Sequence, residues 1–246
     1  KLKIGLVSAD FGNNPGGLFT LSTLIELSKK NFELIAYSSN DRKDEIAKQF
    51  KTLFLKWNSI ERKTDAEVIN QINEDGIHIL IDMQGHSAKN RLPIFINKPA
   101  PIQATWLGQG STGIPEIDYF VGSPHITPEN EEKNYVEKIY RLPHISQCFT
   151  EPNFDIEVNE LPALKNKFVT FGSLNKLSKI NDEVILLWSD ILKSVKNSKL
   201  LLKTRELNDK KIAEDIVAKF SKNKIKKDQL ILKGKSKNRE DTLKVY

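Results

Sequence analysis

Short apolar runs alternate along this chain with stretches of helical spacing, and that alternation restricts the possible fold more than any other feature. KIGLVSAD at 3–10 reads as a buried strand and GNNPGG at 12–17 as a turn. LFTLSTLIELSKK at 18–30 then carries Leu21, Leu24, Ile25 and Leu27 as a helical apolar stripe. FELIAYSS at 32–39 is a second strand. DRKDEIAKQF and TDAEVINQINEDG are predicted as short helices, opened by capping residues near Asp41 and Thr64. IHILIDM, IQATWLG, DYFVGS and KIYRLP are further strands. Strands that alternate with helices predict an α/β fold, with a mostly parallel sheet covered on both faces.

The stretch 146–164 has two prolines, mixed polarity and no period, and reads as a linker between a first lobe at 1–145 and a second at 165–246. After it the pattern restarts: strand KFVTFGSL, helix NDEVILLWSDILKSV, strand SKLLLKT, helix NDKKIAEDIVAKF, strand QLILKG and an incipient helix REDTLKVY. A three-stranded open sheet leaves an edge and one face poorly covered. The second lobe is therefore expected to be incomplete at Tyr246, and Lys1, which is not a methionine, suggests a start further upstream.

Composition narrows the function classes. A 39% apolar and 28% charged chain of 246 residues fits a soluble globular protein with a proper core. No apolar run approaches the roughly 18–20 residues of a membrane-spanning helix, and no secretory leader is visible, so a cytoplasmic location is expected. The single cysteine, Cys148, excludes an intrachain disulfide and a cysteine metal cluster, and is expected to be a small buried hydrophobe. The net charge of +6 is uneven: residues 1–160 carry 17 Lys/Arg against 22 Asp/Glu, and residues 161–246 carry 21 against 10. A basic second half could attract a nucleotide diphosphate or a nucleic acid, or could reflect lysine enrichment from a biased genome. Its lysines at 208–227 lack the interleaved aromatics on which single-strand readers stack bases, which argues against nucleic acid.

Two strand-like runs, IHILIDM and IQATWLG, stop at glycine and enter polar loops, GHSAKNR and QGSTG. In a parallel α/β sheet, the crevice at the carboxyl ends of strands is where ligands bind. Here the chain resembles a known family. DMQGHSAKNRL, KPAPIQATWLGQGSTG, IDYFVGSP and YRLP are similar to the catalytic region of the O-linked N-acetylglucosamine transferases, which include the SPINDLY-type plant proteins and bacterial members. VSADFGNNP at 7–15 and FGSLNKLSKINDEVILLWSDILKSVKNSKLLLK at 171–203 extend the match in family order. The resemblance implies a GT-B fold of two Rossmann-like lobes. It also implies inverting transfer of N-acetylglucosamine from UDP-GlcNAc to Ser/Thr hydroxyls of a protein or peptide acceptor. Such chemistry generally runs without a metal or cofactor, and full-length members usually carry tetratricopeptide repeats upstream.

The site residues follow from that resemblance. Lys179, in LNKLSKIND, falls where the family has a lysine on the UDP diphosphate, and Lys176 stands where members carry glutamine at a nucleotide contact. Well-studied animal members have histidines where this chain has Asn14 and Leu18; asparagine can hold a hydroxyl but cannot take its proton at neutral pH. Asp10 remains at a strand's carboxyl end, as catalytic carboxylate or turn residue. His86 matches a histidine of many bacterial members and is the side chain best suited to proton exchange near pH 7. Gly108 ends IQATWLG as a candidate substrate contact, and Ser111 and Thr112 lie in QGSTG at 109–113, which resembles the family loop that usually reads Tyr-Pro-Gly-Thr; the two hydroxyls could bind sugar or peptide, or serve the turn. His78, Trp106 and Trp188 sit in apolar patterns and read as structural, while Arg91 could line the cleft or pair with a surface acid. The replaced histidines keep a second reading open: a degenerate module that binds peptides or a nucleotide sugar without chemistry.

Overall fold

A computed structural model describes residues 1–246, which divide into two compact units, Lys1–Glu151 and Pro152–Tyr246. In the first unit the order is β1 (Leu2–Ser8), α1 (Pro15–Ser28), β2 (Phe32–Ser38), α2 (Glu45–Leu53), β3 (Lys56–Ser59), α3 (Asp65–Asp75), β4 (Ile79–Asp82), α4 (Pro93–Ile96), β5 (Ile102–Trp106), β6 (Tyr119–Gly122) and β7 (Lys138–Arg141). All seven strands are parallel, in the order β3-β2-β1-β4-β5-β6-β7. The chain winds outward from β1 to β3 and then returns to β1's other side with β4. The strand order thus reverses between β1 and β4, the place where open α/β sheets bind ligands. Register puts Val7 beside Asp82 and Asp82 beside Thr105, so the carboxyl ends of β1, β4 and β5 are level.

Side chains alternate across this sheet into two cores. Ile4, Leu6, Leu34 and Ala36 face Leu21 and Leu24 of α1 and Phe50 of α2. Val7, Ile35, Tyr37 and Leu80 face Val68 and Ile72 of α3 and Ile94 and Phe95 of α4.

Helix ends explain where the elements stop. Thr64 opens α3 with a reciprocal box: its hydroxyl accepts from the Glu67 N–H at 3.3 Å, and the Glu67 carboxylate accepts from the Thr64 N–H at 2.7 Å. Gly76, in the left-handed region at φ 64°, closes the same helix. Replacing Thr64 by Ala removes the cap and should cost the first unit about 1 kcal/mol, read from the urea midpoint. The cap of α2 is a correction to the sequence reading: Asp44, not Asp41, accepts from the Ala47 N–H at 3.0 Å. Asp44 also accepts from the Asn13 N–H at 2.9 Å, while Asp41 lies 3.8 Å from Lys51.

The second unit holds α5 (Pro162–Asn166), β8 (Val169–Ser173), α6 (Asp182–Ser194), β9 (Ser198–Lys203), α7 (Lys210–Lys222), β10 (Leu230–Lys233) and α8 (Arg239–Leu243). Its parallel sheet runs β10-β9-β8. Leu200 and Leu202 pack with Ile185 and Leu192 of α6 and Ile216 and Phe220 of α7. The β8, β9 and β10 residues Thr170, Gly172, Leu201 and Ile231 border an open cavity of about 880 Å³, so this small sheet is less fully covered than the large one.

Candidate active site

The carboxyl ends of β1, β4 and β5 are tied together by buried polar side chains that the sequence reading did not single out. Asp82, fully buried at the end of β4, accepts from the Gln84 N–H (3.1 Å), the Gly85 N–H (2.9 Å) and the Thr105 hydroxyl (2.8 Å). Burial pushes its carboxyl above the usual range, while the Thr105, Gly85 and Gln84 hydrogen bonds and nearby His86 pull the other way. Buried Gln84 links the next loop to β1: its Oε1 accepts from the Ala9 N–H at 3.0 Å and its Nε2 donates to Asp10 at 3.1 Å. Gly85 sits at φ 50°, and a Cβ there would lie 3.1 Å from the Cα of Gly108, so the loops after β4 and β5 touch through glycine.

Asp10 is half-buried at the end of β1. One carboxylate oxygen takes Gln84 and the other faces the Arg42 guanidinium at 3.5 Å. Gly16 packs against it, since a Cβ on Gly16 would fall 2.8 Å from the Asp10 carboxylate. Asn14, read from the resemblance as catalytic, is the cap of α1: its Oδ1 accepts from the Gly17 N–H at 3.0 Å and its Nδ2 donates to the Asp10 and Gly12 carbonyls. Both polar ends of that side chain are occupied by local backbone.

His86 is exposed, and its Nε2 lies 3.1 Å from the Ser111 carbonyl oxygen, which joins the β4 and β5 loops a second time. The Ser111 and Thr112 hydroxyls both donate to Glu137, a buried carboxylate just before β7, and Glu137 also accepts from the Thr112 N–H at 2.7 Å. Those hydroxyls serve the loop itself. Asp10, Asn14, His86, Gly108, Ser111 and Thr112 thus all lie on loops after β1, β4 and β5.

Lys176 and Lys179 belong to the second unit. Lys176 precedes and Lys179 ends a single 3₁₀ turn, Leu177–Lys179, between β8 and α6. Both are exposed, and the Lys179 ammonium forms no hydrogen bond or ion pair. Lys176 helps to hold the exposed Glu206 carboxyl below its usual range, after the larger effect of the Thr204 hydroxyl. Asn181 caps α6 by accepting from the Val184 N–H at 2.9 Å, which leaves the Lys179 turn immediately before that helix.

Other residues take defined places. Arg91 pairs with Asp65 at 2.6 Å and donates to the Ile60 and Lys63 carbonyls. Trp106 is buried and donates its indole N–H to Ser146 at 2.6 Å, while Trp188 is half-buried against the second core. His78 is exposed and accepts from the Lys3 N–H at 3.0 Å. Cys148 is exposed, contrary to the expected burial, because it lies in an irregular segment after β7 with no regular element packed over it. No group of three or more His, Cys, Asp or Glu side chains is gathered as metal ligands. No helix is long and apolar enough to cross a membrane.

A seven-stranded parallel unit, with its polar loops at the strand-order reversal, is followed by a second parallel α/β unit. That is the fold class of the GT-B glycosyltransferases. The chain belongs to glycosyl transferase family 41, which residues 1–150 match. It is 34% identical over 209 residues to the probable UDP-N-acetylglucosamine–peptide N-acetylglucosaminyltransferase SPINDLY of Solanum lycopersicum, covering 83% of this chain and 22% of that protein. The corresponding SEC protein of Arabidopsis thaliana is 33% identical over 216 residues, with 82% and 22% covered. The chain therefore spans about a fifth of the length of these curated relatives. Among solved structures, a mutant of the Thermobaculum terrenum O-GlcNAc transferase superposes with a TM-score of 0.89 at 29% identity, over all of this chain and 46% of that one. The apo lipopolysaccharide outer core galactosyltransferase WaaB, at 14% identity and a TM-score of 0.56 over 96% of this chain and 69% of that one, shares the fold.

Proposed function

We propose that the protein transfers N-acetylglucosamine from UDP-GlcNAc to Ser or Thr hydroxyls of a protein acceptor, with inversion, without a metal, and in the cytoplasm. The observation that carries this is the gathering of Asp10 and His86 on the loops after β1 and β4, joined through Gln84, at the strand-order reversal of a family 41 chain. In the reaction an acceptor hydroxyl oxygen bonds to the anomeric carbon, the bond from that carbon to the β-phosphate oxygen breaks, and the hydroxyl proton passes to a base. His86 supplies that base, being exposed at the loop mouth and of the right type for proton exchange near neutrality. Asp10, fixed by Gln84 and Arg42, gives a carboxylate of set direction to orient the acceptor or the sugar. Asn14 acts by shaping the loop that carries Asp10.

The leaving UDP needs its growing charge met by cations. Lys179, uncommitted to any internal partner and next to the start of α6, is suited to the diphosphate, and Lys176 to the nucleotide beside it. Gly108 lets the β5 loop come close to the bound sugar, and Ser111 and Thr112 hold that loop's shape.

The test is incubation of the protein with radiolabelled UDP-GlcNAc and Ser/Thr peptides. Label on peptide hydroxyls, stable to phosphatase, is the expected outcome. Donor binding without transfer would overturn it in favour of a non-catalytic module. Transfer only from another nucleotide sugar would overturn the donor assignment.

A further inference from the structure

The buried Glu137 carboxylate has no role in the reading above, yet it is the fixed point of the loop after β5. It is 5% exposed and lies just before β7. One of its oxygens accepts from the Thr112 N–H at 2.7 Å and from the Thr112 hydroxyl; the other accepts from the Ser111 hydroxyl at 2.7 Å. The Ser111 oxygen then accepts from the Gly113 and Val136 N–H groups, each at 3.2 Å, and the Thr112 oxygen accepts from the Ile114 N–H at 3.2 Å. Each hydroxyl has spent its single proton on Glu137 and receives backbone donors in return. The direction of every hydrogen bond is therefore set, and so is the orientation of the Ser111 peptide.

That orientation reaches His86. The Ser111 carbonyl oxygen sits 3.1 Å from His86 Nε2. A carbonyl can only accept, so a neutral His86 must carry its proton on Nε2 to make this bond. Nδ1, which makes no hydrogen bond in the structure, is left with the free lone pair. We propose that Glu137 is a positioning residue that, through Ser111, holds His86 as the Nε2–H tautomer and leaves Nδ1 as the atom that accepts the acceptor's proton. The inference rests on His86 as the base and adds which nitrogen acts and what orients it.

The informative substitution is Glu137→Gln. It keeps size and one accepting oxygen for Thr112, but presents an N–H to the Ser111 oxygen, which already receives two. The Ser111 hydroxyl loses its acceptor, so the Ser111–Thr112 peptide is held from the Thr112 side alone and turns more freely. With only four histidines in the chain, ¹⁵N-histidine labelling resolves the imidazoles, and His86→Gln identifies the signal. In the unaltered protein the ring ¹⁵N shifts of His86 are expected to be those of a protonated Nε2 and an unprotonated Nδ1. In Glu137→Gln they should move toward each other as the tautomers mix, with the other three histidines unchanged. In the transfer assay, kcat should fall about tenfold with the donor KM unchanged, as expected for a misplaced base. Glu137→Asp, which restores two accepting oxygens, should recover part of both. Should Glu137→Gln misfold, Ser111→Ala removes the same hydroxyl link and is read in the same way. A His86 signal indifferent to these substitutions, or one whose proton resides on Nδ1, overturns the proposal. So does a shifted signal with unchanged kcat. The spectroscopic result does not depend on turnover, so a protein that fails to transfer sugar would count against the proposed function and leave the clamp to be decided by the His86 signal.

Discussion

Gly17→Ala should unfold the first unit at markedly lower denaturant and reduce transfer by about a hundredfold. A Cβ on Gly17 would stand 2.1 Å from the Gly12 carbonyl oxygen and 2.6 Å from that of Asp10. Both are backbone atoms, so neither can swing aside as a side chain would. The same two carbonyls receive the Asn14 amide, and the Gly17 N–H is the donor that Asn14 caps. The added methyl therefore pushes apart a closed set of hydrogen bonds and does not fill a space. Overpacking of this kind costs about 3 kcal/mol. The loop carries Asp10, and a displacement of about 1 Å at a positioned group is enough for a loss of about a hundredfold. Urea unfolding followed by tryptophan fluorescence reports the first unit through Trp57 and Trp106. Gly172→Ala is the control: nothing lies within 4 Å of a Cβ there, and a change within about 0.5 kcal/mol is expected.

The strands that position this loop were legible because they lie in apolar runs. KIGLVSA, IHILIDM and IQATWLG are each rich in apolar residues and stop at a polar turn, so composition and punctuation agree. By contrast β3, Lys56–Ser59, escaped notice. It is four residues at the sheet edge, KWNS, with two of them exposed, and it pairs only because β2 offers a free side. The 41–44 cap could not be read locally, since Asp44 is selected over Asp41 partly by the Asn13 N–H, 31 residues away. Asn14 is different. Asn followed by Pro-Gly-Gly at a helix start is a capping signature, readable from sequence, and the resemblance drew the side chain toward chemistry instead.

The site was half legible for a similar reason. Glycine-ended strands and His86 mark the loops, but what fixes them comes from far along the chain. Gln84 reaches Asp10 across 74 residues, Thr105 reaches Asp82 across 23, and Glu137 reaches Ser111 across 26. Each of these contacts depends on strand order, and β4 must lie beside β1 for Gln84 to bind the β1 loop at all. A polar residue closing an apolar strand, as Asp82 does, is the one signal that could have pointed to the network. Lys176 and Lys179 were found only through the resemblance, because an exposed lysine has no local pattern to set it apart from the others.

Asp82→Ala should be the most damaging substitution in the β4 loop, and its cost should depend on pH with a definite sign. Removing the carboxylate leaves the Gln84 and Gly85 N–H groups and the fully buried Thr105 hydroxyl without their acceptor. Orphaned buried donors cost about 1–3 kcal/mol each, and some relaxation is expected, so about 4 kcal/mol is predicted for the first unit at acid pH. Transfer should fall by more than a hundredfold, since Gln84 and His86 follow Asp82 in the same turn. Burial raises the Asp82 carboxyl above its ordinary value of 3.8. The folded state therefore holds this proton more tightly than the unfolded one. The stability contributed by Asp82 is complete below about pH 3.8 and is lost as pH rises through its folded value, where an anion must be held without water. The gap in unfolding free energy between the unaltered protein and Asp82→Ala should accordingly be widest near pH 4 and narrow toward pH 8. Asp82→Asn, which cannot ionise, keeps acceptors for Gly85 and Thr105 and should show a smaller cost, about 1–2 kcal/mol. A gap that instead widens with pH would mean that the three donors outweigh desolvation and that the buried carboxylate stabilises the β4 loop as an anion.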